Sequence, residues 1–220
     1  MFARDVYVAR RKALVQGMGS GLVLLPGNRE VSMNYPANPL PFRQDSDFRY
    51  FFGLDHTAVD GLLDLDEGKS WLVGEELTVE DVIWMGELPR LEDQAASVGL
   101  DGVLSPAGMK DKIGAALRAR RPVHFLPPYR GDQILRLSEL LGLMPERVKG
   151  MASMALVDRV IALRSVKGPE EIEEMTRAVE ITAEMYQAAL AAMRPGSTEQ
   201  AVVGAMQGAW SARGAQYSFP

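Results

Sequence analysis

The chain has 220 residues, a formal net charge of −5, 47% apolar residues and no cysteine. These values fit a globular protein with a sizeable core. They exclude disulfides and thiolate metal sites, and they disfavour nucleic-acid binding, which usually needs a basic surface. No apolar stretch approaches the roughly 18 residues of a membrane span and the charged start is no secretory signal, so we expect a cytoplasmic protein without a membrane partner.

The first third of the chain predicts a helix followed by several strands. Apolar residues at helical spacing predict a helix over Phe2–Gln16, and its basic run, Arg10–Lys12, is expected in the last turn, where cations suit the helix dipole. The apolar run Leu22–Leu25 predicts a buried strand, which a proline-rich loop follows. Further strands are predicted at Phe48–Phe52, Gly61–Leu65, Ser70–Val73 and Val82–Met85, the middle two forming a hairpin.

Strands and helices then alternate. Helical spacing recurs around Leu91–Val98, Ile113–Leu117 and Ile134–Leu141, and short strands are expected at Gly102–Leu104 and Val123–Leu126. An early hairpin followed by this alternation indicates an α/β fold, with a mixed sheet flanked by helices. We place this domain at residues 1–150 and a connecting helix at residues 151–166.

The last part of the chain predicts two amphipathic helices. Pro169 suits the first turn of a long helix, and Ser197 with Gln200 has capping-box spacing for a second. Two helices without a sheet cannot bury their apolar stripes. We therefore expect residues 167–220, which end on an extended stretch from Gln216, to open a domain whose remainder is missing. Alone, these helices should pair with a second copy of the chain or be poorly ordered.

Few residues point to chemistry by themselves. Gly17, Gly19 and Gly21 follow a helix and precede a strand, which is the reverse of the order in a phosphate-binding loop. His56 lies in a predicted turn, and His124, inside a predicted strand, is expected to be packed or hydrogen-bonded. The sequence shows no motif for a hydrolytic serine or a helical zinc site.

The segment Phe42–Gly53 is the most unusual in the chain. Asp45 and Asp47 can accept hydrogen bonds from nearby backbone amides, and Arg43 can reach a carboxylate with its planar guanidinium. Two interpretations stay open: a hydrogen-bonded turn that leads into a core element, or a loop placed at a cleft.

This segment resembles the hallmark of the N-terminal domain of Xaa-Pro aminopeptidases (aminopeptidase P), in which Arg-Gln-Asp/Asn-Ser-Asp-Phe leads into an aromatic run and a glycine. Three further segments agree with that family in order and spacing: Ile83–Gly86 with its tryptophan, Leu163–Ile172, and Arg194–Glu199. The resemblance spans nearly the whole chain.

The resemblance implies an enzyme of two domains. The first has a creatinase-type fold. The second, a pita-bread fold, holds two divalent metal ions, typically manganese, through two aspartates, one histidine and two glutamates. The ions activate a shared hydroxide that cleaves the bond before proline in a peptide with proline at its second position. Residues 166–220 contain no aspartate and no histidine, so no catalytic residue and no metal ligand is assigned here, and this chain alone is expected to be inactive.

The resemblance also implies a homo-oligomer, a dimer or larger, in which this domain shapes the substrate cleft. Trp84 matches a position that in some members reaches a neighbouring subunit's active site, and Arg43, Asp45 and Asp47 could line the same cleft. Trp84 could instead be a core or rim aromatic residue, and Asp47 a structural cap of the turn. A stand-alone binding or oligomerisation module, or the N-terminal domain of a prolidase or creatinase, remains an alternative for the whole chain.

Overall fold

The computed structural model describes residues 1–87 and 89–216, without the side chain of residue 85. The helices are α1 (Arg4–Gln16), α2 (Ser46–Phe52), α3 (Val79–Met85), α4 (Leu91–Ser97), α5 (Pro106–Arg118), α6 (Gly131–Leu141), α7 (Pro145–Val148), α8 (Met154–Ser165), α9 (Pro169–Ala192) and α10 (Glu199–Ala212). The strands are β1 (Leu22–Pro26), β2 (Asp60–Asp64), β3 (Lys69–Val73), β4 (Gly102–Leu104) and β5 (Val123–His124).

The five strands form one mixed sheet in the order β4-β3-β2-β1-β5. The central pairs are antiparallel, with Leu24 opposite Leu62 and Leu62 opposite Trp71. Both outer strands, β4 and β5, pair in parallel with their neighbours. The predicted mixed α/β architecture is therefore confirmed, as is the β2–β3 hairpin.

Alternate residues of the strands pack into two apolar cores, one on each face of the sheet, because successive side chains in a strand point to opposite sides. On one face Val23 and Leu25 join buried residues of α1, α2, α4 and α8. On the other, Leu22 and Leu24 join buried residues of α5, α6 and α7. Helices thus cover both faces, which explains the near-continuous apolar sequence of β1.

The predicted strands at 48–52 and 82–85 are wrong, because both segments are helical. In α2, Phe48, Phe51 and Phe52 are fully buried at helical spacing. Asp45 caps the helix, and Gly53 ends it with a φ of 68°, which favours glycine. In α3, the side chains of Thr78 and Asp81 form a capping box. Caps and burial outweigh the strand preference of aromatic and β-branched residues.

The expectation for the basic run Arg10–Lys12 is wrong for Arg11. Its side chain does not interact with the C-terminal end of its own helix, α1. Arg11 is buried, and its guanidinium donates hydrogen bonds to the carbonyls of Phe51 (2.8 Å), Val98 (2.6 Å) and Gly99 (2.7 Å). It therefore satisfies backbone acceptors at the C-terminal ends of α2 and α4. Burial lowers the pKa of Arg11 to about 10, so the group stays charged at neutral pH.

The chain divides by its contacts into two compact units, Met1–Ser165 and Val166–Pro220. Helix α8, which we expected as a separate connecting segment, belongs to the first unit. Its Arg159 donates a hydrogen bond to the carbonyl of Ala13 (3.2 Å), and the carbonyl of Leu163 accepts one from the hydroxyl of Tyr50 (3.0 Å).

In the second unit, α9 and α10 pack against each other. Ile181 and Ala189 are buried there. Among the described residues of the unit, eight large apolar side chains are exposed: Val166, Ile172, Met175, Val179, Tyr186, Leu190, Met193 and Val203. The predicted extended stretch from Gln216 falls almost entirely on residues 217–220, outside the described residues.

Candidate functional site

Gln44 is the buried centre of the hallmark segment. Its side-chain oxygen accepts hydrogen bonds from the backbone amides of Asn28 and Asp45, both at 2.7 Å, and its amide nitrogen donates to the carbonyl of His56 (2.7 Å). Gln44 thereby ties together three loop segments that are distant in sequence. Sequence patterns do not reveal this role, because the partners of Gln44 are up to 16 residues away and leave no local pattern.

Asp45 supports the turn interpretation of the segment. Its Oδ1 accepts hydrogen bonds from the backbone amides of Asp47 (2.9 Å) and Phe48 (3.0 Å), so it caps α2. Burial raises the pKa of Asp45, although the amide of Phe48 acts in the opposite direction. The cost of burying this carboxylate is thus only partly offset by its hydrogen bonds.

Asp47 does not cap the turn, since Asp45 does. The carboxylate of Asp47, in the first turn of α2, forms an ion pair with Arg164 of α8. Arg43 is exposed, and its backbone carbonyl accepts a hydrogen bond from the side chain of Asn28 (2.9 Å). Asp45 and Asp47 therefore lie together at the start of α2, and their side-chain contacts hold the fold.

Trp84 lies on a different helix, α3, and its side chain is 81% exposed. The interpretation of Trp84 as a core residue is therefore wrong. Val79 and Ile83 of the same helix are also about as exposed, at 79% and 76%. We call these three residues the α3 apolar face. An exposed cluster of large apolar side chains on a well-capped helix is typical of a contact surface.

A cleft of about 790 Å³ lies beside the start of α3. Its lining is strongly acidic, with one arginine and one histidine: Arg29, Glu30, Asp55, His56, Glu75, Glu76 and Asp81. The lining includes none of the four side chains that the sequence singled out, since Arg43, Asp45 and Asp47 lie around α2 and Trp84 lies further along α3. The tryptophan and the polar hallmark thus lie on different helices.

The two histidines differ in their surroundings. His124 is hydrogen-bonded, as expected, with its Nδ1 2.8 Å from the hydroxyl of Ser153 and its Nε2 3.1 Å from the carbonyl of Ser20. In the described part of the chain, Nδ1 of His56 is buried without a hydrogen-bond partner. Residues 1–87 and 89–216 hold no group of three or more histidine or acidic side chains arranged to bind a metal ion.

Helix length and composition rule out a membrane-spanning segment among the helices described here. The longest, α9, carries six charged residues within its first twelve positions, including a run of glutamates at its N-terminal end, where they suit the helix dipole.

Residues 7–124 match the family model of the aminopeptidase P N-terminal domain. The Xaa-Pro aminopeptidase of Escherichia coli K12 is 30% identical over 228 aligned positions, covering 98% of this chain and 51% of the relative. The Xaa-Pro dipeptidase of Rattus norvegicus is 26% identical over 195 positions, covering 86% of this chain and 38% of the relative.

The low-pH structure of aminopeptidase P from E. coli superposes with a TM-score of 0.79 at 26% identity, covering 99% of this chain and 51% of that one. The chain therefore spans about half the length of the bacterial relative and less of the rat one, and the structural match continues through α9 and α10. The family-model match covers the β1–β3 core, the hallmark segment and α3, and on this evidence the chain belongs to the aminopeptidase P N-terminal domain family.

Proposed function

We propose that this chain is the N-terminal portion of an Xaa-Pro aminopeptidase, an enzyme that removes the residue preceding proline from the N-terminus of a peptide. The main support is the extent of the alignment: nearly all of this chain matches only half of the E. coli enzyme. The remaining half of such an enzyme would carry the catalytic domain, and residues 167–220 would be its first two helices. The exposed apolar side chains of α9 and α10 are the surface that this domain would cover.

The same proposal includes a cytoplasmic enzyme with two manganese ions in its catalytic domain. The described residues of this chain offer no fitting set of ligands, so no step of the reaction is assigned to them. Their part is to shape the cleft and to contact other subunits in a homo-oligomer. The hydrogen-bonded and ion-paired roles of Asp45 and Asp47 leave Trp84 as the best candidate for a residue that touches substrate.

The α3 apolar face supports this role for Trp84. The capping box of Thr78 and Asp81 fixes the start of the helix, with Oδ2 of Asp81 2.8 Å from the amide of Thr78. An indole presented on a capped helix loses little conformational entropy when it packs on a substrate or on a neighbouring subunit. Its 81% exposure leaves most of its surface available for such a contact.

The test is Trp84→Ala in the full-length enzyme, assayed on an Xaa-Pro-Yaa tripeptide. We expect kcat/KM to fall about tenfold, which corresponds to about 1.4 kcal/mol of lost transition-state stabilisation, with the melting temperature nearly unchanged. Tyr129→Ala, which removes another exposed aromatic residue, is the matched control and should leave kcat/KM unaltered. A lower melting temperature with unchanged kinetics would contradict the role proposed for Trp84.

A dipeptidase is the second candidate, because the rat Xaa-Pro dipeptidase aligns with 86% of this chain. The rates at which the full-length enzyme cleaves an Xaa-Pro dipeptide and an Xaa-Pro-Yaa tripeptide distinguish the dipeptidase from the aminopeptidase. Preference for the tripeptide supports the aminopeptidase, whereas activity confined to the dipeptide supports the dipeptidase. A protein that cleaves neither peptide in the presence of manganese would favour a non-catalytic binding module.

A further inference from the structure

A second cavity, of about 270 Å³, lies between α5 and α6. Its charged lining residues are three cations, Arg29, Lys110 and Arg136, and two carboxylates, Asp60 and Glu139. The other lining residues are small or apolar. We call this cavity the α5–α6 pocket. In a protein with a net charge of −5, a pocket in which cations outnumber carboxylates is an exception to the general charge balance.

The positive excess comes from two arginines that share one carboxylate, Asp60, which is only 2% exposed. Its Oδ2 accepts hydrogen bonds from Nη2 of Arg29 (3.0 Å) and Nη2 of Arg136 (2.5 Å), and its Oδ1 accepts one from the amide of Gly27 (3.0 Å). One carboxylate therefore faces two guanidinium groups, and the cluster keeps one unit of positive charge. Both arginines remain partly exposed, at 29% and 27% of their side chains, so this charge is available at the pocket wall.

Arg136 also has hydrogen-bonding capacity that the fold does not use. Its Nη1 is buried and has no acceptor within the described part of the chain. An unmet buried donor costs about 1–3 kcal/mol, so an added acceptor near this guanidinium is favourable. Asp132, one turn earlier on α6, pairs with Arg130 through Oδ1 (3.0 Å), and its Oδ2 is also buried without a partner in the described part of the chain.

The start of α5 adds to the positive potential of the pocket, whereas the ion pair at its rim adds little. Lys110 pairs with Glu139 at the exposed rim (3.1 Å), so these two charges largely cancel. Pro106 and Ala107, in the first turn of the 13-residue helix α5, line the same pocket, and the N-terminal end of a helix carries a partial positive charge. Guanidinium groups bind phosphate and carboxylate groups well because their planar N–H groups match the spacing of two oxygens.

We propose that the α5–α6 pocket binds a small dianion from solution, of the phosphate or dicarboxylate class, with Arg29 and Arg136 as its principal ligands and Lys110 at the rim. The pocket is large enough for such an ion, and the negative charge of the ion would offset the excess positive charge of the Asp60 cluster. This site lies in the first unit and does not depend on the proposed peptidase activity.

The test is isothermal titration of the 220-residue chain with inorganic phosphate, and separately with succinate, at constant ionic strength. We expect saturable binding with a dissociation constant below about 1 mM for at least one of the two anions, and the tighter one identifies the class. Absence of saturable binding by both anions up to about 10 mM would overturn the proposal.

Variants distinguish a built site from general charge attraction. Arg29→Met removes the excess charge but leaves Asp60 paired with Arg136, so the fold should persist while affinity falls at least tenfold, or about 1.4 kcal/mol. Lys110→Met, at a largely exposed position, should weaken binding about threefold. Arg118→Met removes the same charge from an exposed site on α5 outside the pocket, and it should leave the affinity unchanged. An equal loss in Arg118→Met would contradict the proposal.

Discussion

The two units of the chain differ in how far they bury their large apolar residues. The first unit buries leucine, valine and phenylalanine side chains on both faces of its sheet, and Leu24, Leu62 and Leu72 are at most 1% exposed. In the second unit, five large apolar residues of α9 are more than half exposed, including Val179 and Leu190. The first unit thus has the cores of a folded domain, whereas the second presents apolar helices that still need a covering surface.

Buried polar groups show the same contrast. In the first unit, Arg11 and Gln44 are almost fully buried and connect segments that are distant in sequence. In the second unit, the ion pair of Arg213 with Glu184 is exposed, with each side chain more than 40% accessible. Matched substitutions in the two units therefore test whether the buried groups of the first unit also contribute more to the free energy of unfolding.

The largest effect is expected for Arg11→Met, because it leaves three backbone carbonyls at the ends of α2 and α4 without their charged donor. We expect the free energy of unfolding of the first unit to fall by about 4 kcal/mol, measured by chemical denaturation. Arg213→Met in the second unit is the counterpart and should change stability by less than about 0.5 kcal/mol. Lys12→Met, an exposed neighbour of Arg11, controls for the loss of charge. If Arg11→Met and Lys12→Met lowered the free energy of unfolding equally, the role proposed for the buried arginine would be contradicted.

A smaller contrast is expected for leucine truncation. Leu72→Ala, in the central hairpin, should destabilise the first unit by about 3 kcal/mol through lost burial and the cavity left behind. Leu190→Ala removes the same atoms from a side chain that is 69% exposed, and it should cost less than about 0.5 kcal/mol. Thermal and chemical unfolding of both variants measures the difference. A large cost for Leu190→Ala would show that the second unit is already covered, for instance by a second copy of the chain.

The smallest contrast concerns helix caps. Asp45 caps α2, and Thr198 caps α10 through a hydrogen bond from the amide of Ala201 (3.3 Å). Replacing either by alanine should cost about 1 kcal/mol. For Asp45→Ala the loss should appear in global unfolding, and for Thr198→Ala in faster hydrogen exchange of α10 alone. Loss of global stability in Thr198→Ala would contradict the division into two units.

Asp45 also gives a pH dependence with a definite sign. Burial raises its pKa in the folded state, so the ionised carboxylate is disfavoured there relative to the unfolded chain. Wild-type stability relative to Asp45→Asn, which keeps a capping oxygen, should therefore be highest below the unfolded pKa of about 3.9 and fall as pH rises through the folded pKa. A relative stability that instead increases with pH would show that hydrogen bonds outweigh burial at this site.

Elements with local signals could be predicted from the sequence, and those fixed by distant partners could not. The β2–β3 hairpin was predicted correctly because the polar turn 66–69 lies between two apolar runs. Helix α2 is not predicted from the sequence because its aromatic run resembles a strand, although Asp45 stands at the capping position before it. Helix α3 was missed for the same kind of reason, although Thr78 and Asp81 had capping-box spacing.

The contacts of the candidate site were likewise not predictable from the sequence. Trp84 could be singled out only by resemblance, and its exposure on α3 depends on the fold. The partners of Arg11 lie 40 to 88 residues away, and the pairing of Asp60 with Arg29 and Arg136 spans 31 and 76 residues. Periodicity and caps report on contacts within a few residues, so none of these clusters has a local signature.

Hydrogen exchange of the intact 220-residue chain tests the difference between the two units most directly. Backbone amides of β1 and β2 lie between two buried cores, whereas α9 buries only Ile181 and Ala189 and α10 buries no side chain among the described residues. We predict exchange at least about 100-fold faster in α9 and α10 than in the two strands, because local unfolding of the second unit needs less free energy. Equal protection of the helices and the strands would contradict the view that the second unit needs a further covering surface.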